Sequence, residues 1–190
     1  MKRYISILAV LAALIILSGC NATISTGSPG SGGSSGSSTA TSTTTQEPHW
    51  GVQTKTSGCT VRGPLQDTAC TPGAIFPNVT RDDVCQPGYA RSVRNVPTSE
   101  KNQVYAEYGI THHSTGQYEV DHLVSLELGG SNDIANLWPE AASPKPGFHE
   151  KDKVENYLHA QVCSGAMSLK EAQIKIATNW LDVYNQMPGQ

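Results

Sequence analysis

The chain has 190 residues, with 13 lysines and arginines against 16 aspartates and glutamates, a net charge of −3, and 37% hydrophobic residues. That balance excludes a protein that coats nucleic acid by bulk charge, and the length leaves room for one moderate core. The averages also mix three unlike segments, which separate cleanly along the chain.

Residues 1–20 read as a targeting peptide. Lys2 and Arg3 precede a largely apolar run from Ile5 to Leu17, too short for a bilayer span of roughly 20 residues and right for a signal peptide. Leu17-Ser-Gly-Cys20 resembles a bacterial lipobox, which predicts cleavage before Cys20, lipidation of Cys20, and a mature protein tethered to a bacterial membrane, at the cell surface or in the periplasm. Residues 21–48 are almost wholly Ser, Thr, Gly and Ala with no charge before Glu47, so they form a flexible linker without a core. The folded domain is then 49–190. Taking Lys2 and Arg3 from the 13 basic residues leaves 11 against 16, a net of −5.

From Cys59 to Pro97, Gly and Pro turn signals such as Gly63-Pro64, Thr71-Pro72-Gly73 and Gln86-Pro87-Gly88 predict irregular loops with short strand pieces. Thr98 to Tyr108 read as a helix capped by Thr98 or Ser99 and stopped by Gly109. Tyr118 to Leu128 alternate as a strand, Gly129-Gly130-Ser131-Asn132-Asp133 supply a turn, and Ile134 to Trp138 make the returning strand. Prolines 139, 144 and 146 keep the next stretch irregular until about Phe148. After it, Val154, Leu158 and Val162 fall at helical spacing within Lys151 to Cys163. Ser168-Leu-Lys-Glu171 is a capping-box pattern opening a last helix whose inner face is Leu169, Ala172, Ile176, Trp180 and Val183. Trp138 and Trp180 are expected in the core.

Apart from Cys20, four cysteines remain, an even count that in an exported chain predicts two disulfides. Three pairings are open. Cys59 with Cys70 and Cys85 with Cys163 is favoured, because the first closes a short Gly/Pro loop and the second ties a late helix to the front of the domain. No C-x2-C pair suggests a structural zinc site.

The informative feature is the order strand with Asp121-His122, glycine turn, strand with Asn136, helix with polar side chains. A ββα arrangement brings such groups to one point: an imidazole, an amide that fixes its tautomer, and metal ligands. Glu119-Val-Asp-His122, Leu128-Gly-Gly130, Asn132-Asp133, Asn136-Leu-Trp138 and His149 together resemble the HNH endonuclease superfamily, the ββα-metal nucleases, and in particular its small secreted bacterial members. The resemblance covers most of residues 70–182, with the core motif at about 118–163.

It implies an α+β fold: a ββα-metal core with extra helices, braced here by disulfides. It also implies metal-dependent hydrolysis of phosphodiester bonds in DNA, with RNA open as a second substrate. His122 is the expected general base and Asn136 the residue that holds its tautomer. Asp121 and a helix residue, His149 by preference or else Asn156, are the expected ligands of one divalent cation, with Mg, Mn, Ca, Ni and Zn not distinguished. Arg91, Arg94, Lys151 and Lys153 are candidate phosphate contacts. Glu155 either orients Lys151 as an i, i+4 pair or reaches the metal through water. His112 and His113 are read as exposed loop residues and His159 as structural. No module for reading base sequence is evident, so low sequence specificity and a monomer are expected. The departures from the pattern are the absence of a flanking C-x2-C and a long, proline-rich interval before His149. The rival readings are a surface nucleic-acid or partner-binding lipoprotein that keeps the fold without cutting, and a structural envelope lipoprotein in which Asp121-His122 is a buried hydrogen bond.

Overall fold

In the computed structural model the described residues are 47–189; the targeting peptide, Cys20 and the linker up to Gln46 lie outside them. The first described stretch wraps the domain and leads into two short helices, α1 (Arg81–Val84) and α2 (Tyr89–Val93), where Gly and Pro suggest only loops. Thr80 nucleates α1: its side chain accepts from the Asp83 N–H while the Asp83 carboxylate accepts from the Thr80 N–H. α3 (Thr98–Glu107) follows, preceded by Pro97 and without a side-chain cap.

β1 (Tyr118–His122) and β2 (Leu137–Ala141) form a two-stranded antiparallel sheet in which Glu119 faces Glu140 and Asp121 faces Trp138. β1 is shorter than the expected strand to Leu128. Beyond His122 the alternation fails: Leu123, Val124, Leu126 and Leu128 are all buried, and the chain leaves the sheet where the Asn136 side chain takes the Val124 N–H and carbonyl and a 3-10 turn follows. That loop contains two 3-10 turns, Leu126–Leu128 and Ile134–Asn136, opened by Ser125 and Asp133 as side-chain caps. The second turn delays β2 by three residues from the expected Ile134, which places Asn136 in the turn and not on the strand. Gly130 is obligatory: a Cβ there would fall 1.7 Å from the Val124 carbonyl oxygen.

α4 (Phe148–Ser164) and α5 (Leu169–Gln186) complete an α+β fold, and Ser168 caps α5 by accepting from the Glu171 N–H. Val154, Leu158 and Val162 of α4 meet Ala172, Ile176 and Trp180 of α5, with Trp138 and Leu123 beneath the sheet, in one core. No helix among the described residues is long and apolar enough to cross a membrane.

Both bridges take the favoured pairing, Cys59–Cys70 and Cys85–Cys163. Two disulfides fit an oxidising compartment. The second links residues 78 apart and pins α1 to the last turn of α4. Replacing Cys85 and Cys163 together by serine is expected to cost about 2–5 kcal/mol, read from urea unfolding beside the native chain.

Candidate active site

His122 ends β1 with only 2% of its surface exposed. Its Nε2 lies 3.2 Å from the Asn132 Oδ1. The orientation of the Asn132 amide is fixed by two backbone contacts: its Nδ2 donates to the Val93 carbonyl at 2.7 Å, and its Oδ1 accepts from the Asn95 N–H at 3.1 Å. Facing an acceptor, Nε2 must carry the proton, which leaves Nδ1 as the basic nitrogen. Burial, with the nearby charges of Arg94 and Lys151, depresses the imidazole to about 4 despite the opposing pull of Asp121 and the Asn132 hydrogen bond, so it is neutral at physiological pH.

Asn136, the expected tautomer holder, has a different task. Wholly buried, its Oδ1 accepts from Val124 and Ala74 N–H groups, and its Nδ2 donates to the Val124 and Ser131 carbonyls. It pins the β1–β2 loop by backbone contacts, and Asn132, read from sequence as a turn residue and as part of the HNH-like motif but without a role of its own, takes the imidazole.

The other side of β1 is governed by Lys151. Its side chain is fully buried, so the expected phosphate contact is corrected: the ammonium donates to the Asp121 carboxylate at 2.6 Å, to Glu155 at 2.5 Å and to the His122 carbonyl at 2.8 Å. Burial would lower this lysine, but Asp121 first and then Glu155 hold it charged and push it above its ordinary value. Burial would likewise raise Asp121, and Lys151 overrides it, keeping the carboxylate below its usual range. Glu155 is pushed up to about 7 by burial and by Asp121, against the pull of Lys151. Glu140, 1% exposed and with no hydrogen bond of good geometry to either oxygen among the described residues, is held protonated by burial, well above the carboxylate range. Of the two sequence readings of Glu155, the i, i+4 pair is the one seen.

Each expected metal ligand has other company in the structure. Asp121 is engaged by Lys151, His149 is exposed with its ring against Phe148, and Asn156 is exposed and donates to the Asp152 carbonyl one turn back. Among the described residues, the one trio of His, Cys, Asp or Glu ligand atoms within 4.8 Å of one another is Cys85, His159 and Cys163, whose sulfurs are joined in the disulfide. With Asp121 already neutralised by Lys151, the residues at β1 do not fit a divalent cation as they stand. Thermal unfolding in EDTA and in millimolar Mg or Zn is expected to give the same Tm; a rise with metal would mean that Lys151 yields Asp121 to it.

A cleft of about 360 Å3 opens beside His122, lined among others by Arg94, Lys101, Tyr105, Tyr118 and Glu119. Arg94 stands just past α2, while Lys101 and Tyr105 share a face of α3 at i, i+4 spacing. Arg91 is exposed on α2 and is not one of the cleft residues, and Lys153 sits 3.9 Å from Glu150 on the outer face of α4. Lys55, Lys145, Lys151, Lys153, Lys170 and Lys175 all have acidic partners. Arg91, Arg94 and Lys101, by contrast, make no ion pair among the described residues; Arg94 and Lys101 share the cleft, where the Arg94 charge reaches Glu119. Comparison with family models, curated proteins and solved structures finds no match for this chain.

Proposed function

We propose that the cleft beside β1 hydrolyses phosphodiester bonds of nucleic acid, as an endonuclease of low sequence specificity. The observation that carries this reading is the pairing of a neutral imidazole, its tautomer set by Asn132, with unpaired cations at the same cleft. Arg94 and Lys101 hold the scissile phosphate and its neighbour, and the cation on the scissile one offsets the charge that builds on its oxygens. A water oxygen attacks phosphorus while His122 Nδ1 takes its proton; the bond to the leaving sugar oxygen breaks, and that oxygen is reprotonated from solvent. Lys151 acts from behind, holding Asp121 and the His122 carbonyl so that the imidazole keeps its place.

The setting belongs to the same proposal: a bacterial lipoprotein anchored through Cys20, with the domain carried outside the cytoplasmic membrane on the 21–48 linker. The fold is read as a ββα core of the HNH type, supported by the order β1, β2, α4 and by Asp121 facing α4 through Lys151. One observation favours a second reading, a nucleic-acid-binding lipoprotein that does not cut: the carboxylate expected to hold a metal is already neutralised by Lys151.

The pH profile tests the proposed base. Activity needs neutral His122, so kcat/KM for a labelled oligonucleotide should rise with pH, reach half its plateau near pH 4, and stay flat from about 6 to 8. An imidazole in water would instead give a midpoint near 6.5.

A further inference from the structure

The form of the nucleic acid follows from the shape and lining of the cleft, an inference that rests on the nucleic-acid reading above. Three observations bear on it. His122 is 2% exposed and lies at a cleft of about 360 Å3, at the small end of ordinary ligand pockets. Its wall carries rings: Tyr105 stacks on His113 with centroids 4.4 Å apart, His113 meets Tyr118 edge-on at 6.2 Å, and both tyrosines are half-buried cleft residues. The cations at this opening are only Arg94 and Lys101, with the exposed carboxylate of Glu119 beside them and a net charge of −3 on the whole chain.

A duplex matches none of these. Its bases are stacked inside and offer nothing to a wall of rings, its backbone needs a row of cations to track, and bringing one nucleotide down to a buried base requires unstacking it first. A single strand meets all three, since an unpaired base stacks on tyrosine whatever its identity and two flanking phosphates suffice for two cations. We infer that this site takes single-stranded nucleic acid, holding one unpaired base against Tyr105 and Tyr118 with the adjoining phosphates on Arg94 and Lys101. The shared chemistry is an unpaired nucleotide with its phosphates, and the sugar is left to the test.

Binding by the full chain carrying His122→Asn, which removes the base and whose fold is checked by circular dichroism, with native chain at 4 °C as the alternative, is measured by fluorescence anisotropy. The probes are a labelled oligo-dU, an oligo-rU of equal length and a blunt duplex. The single strands are expected to bind at least about tenfold tighter than the duplex, with log K falling against log salt at a slope of about −1.4, two phosphates' worth. Tyr105→Ala should weaken single-strand binding about tenfold, Tyr105→Phe should restore it, and Arg94→Ala should flatten the salt slope by about 0.7. If Tyr105→Ala does not fold, Tyr105→Leu replaces it, keeping bulk without a π face. Equal or tighter duplex binding, or single-strand binding indifferent to Tyr105 in a folded variant, overturns the inference. Cleavage by the native chain is scored separately: tight, Tyr105-dependent binding without cutting supports this inference and defeats hydrolysis alone, whereas cutting of duplex as fast as single strand defeats this inference alone. Preference for dU over rU, or the reverse, assigns the sugar within it.

Discussion

His122→Ala is expected to lower the cleavage rate by about 10²- to 10⁴-fold with the fold intact, the usual worth of a positioned general base. The prediction has a built-in control in Asn132. Asn132→Leu removes the acceptor opposite Nε2 and frees the ring to swap tautomers, so it should cost about 10- to 100-fold while leaving the imidazole in place. Asn132→Asp still accepts from Nε2 but adds a negative charge beside the ring, so it should move the pH midpoint upward from about 4. A structural role for His122 predicts the opposite pattern: loss of stability in His122→Ala, and no movement of a pH midpoint in Asn132→Asp. Rates at several pH values, with circular dichroism on each variant, separate the two.

Lys151→Met should destabilise the domain by about 3–5 kcal/mol, measured as the shift in urea midpoint. The methionine fills the space but leaves Asp121 and Glu155 buried without a counter-charge, with protonated Glu140 close by and the His122 carbonyl short of a donor. The cost comes from stranding the acids rather than from losing an attractive pair, so relieving them should recover stability. Lys151→Met combined with Asp121→Asn is expected to be more stable than Lys151→Met alone, and that non-additivity is the signature of direct coupling. Were Lys151 a surface cation waiting for phosphate, the single variant would change stability by no more than about 0.5 kcal/mol.

The helices that carry the core were legible because their apolar residues recur at helical spacing: α4 and α5 fall where Val154, Leu158, Val162 and then Ala172, Ile176 and Trp180 place them. The disulfide pairing was legible from loop lengths and chain order. The strand ends were not, because Leu123 to Leu128 sustain an apolar run that looks like strand, and only the packing shows them buried in a curled loop. α1 had a usable signal in Thr80-Arg-Asp-Asp83, a capping pattern overshadowed by the surrounding Gly and Pro.

At the site, His122 and Asp121 stood out as residue types, but their partners did not. Asn132 and Asn136 are four residues apart in a turn, and spacing alone does not say which amide meets the ring and which meets the backbone. Lys151 had a signal that was passed over: it continues the Lys151, Val154, Leu158, Val162 stripe at 3-4-4 spacing, so it belongs to the buried face of α4 and needs acidic partners there. A lysine on a helix ordinarily reads as surface, and the carboxylates that permit its burial come from β1 as well as from its own next turn. Its burial is also what neutralises Asp121, the carboxylate expected to hold a metal.

The most direct test is a cleavage time course with purified full-length chain, folded and disulfide-bonded, on a labelled single-stranded oligonucleotide and on supercoiled plasmid, in EDTA and with Mg, Mn, Ca or Zn, with His122→Ala run in parallel. The account predicts endonucleolytic products from the native chain that His122→Ala fails to make. No cleavage of either substrate under any of these conditions, by protein shown to be folded, would contradict it and leave the binding module as the reading of this cleft.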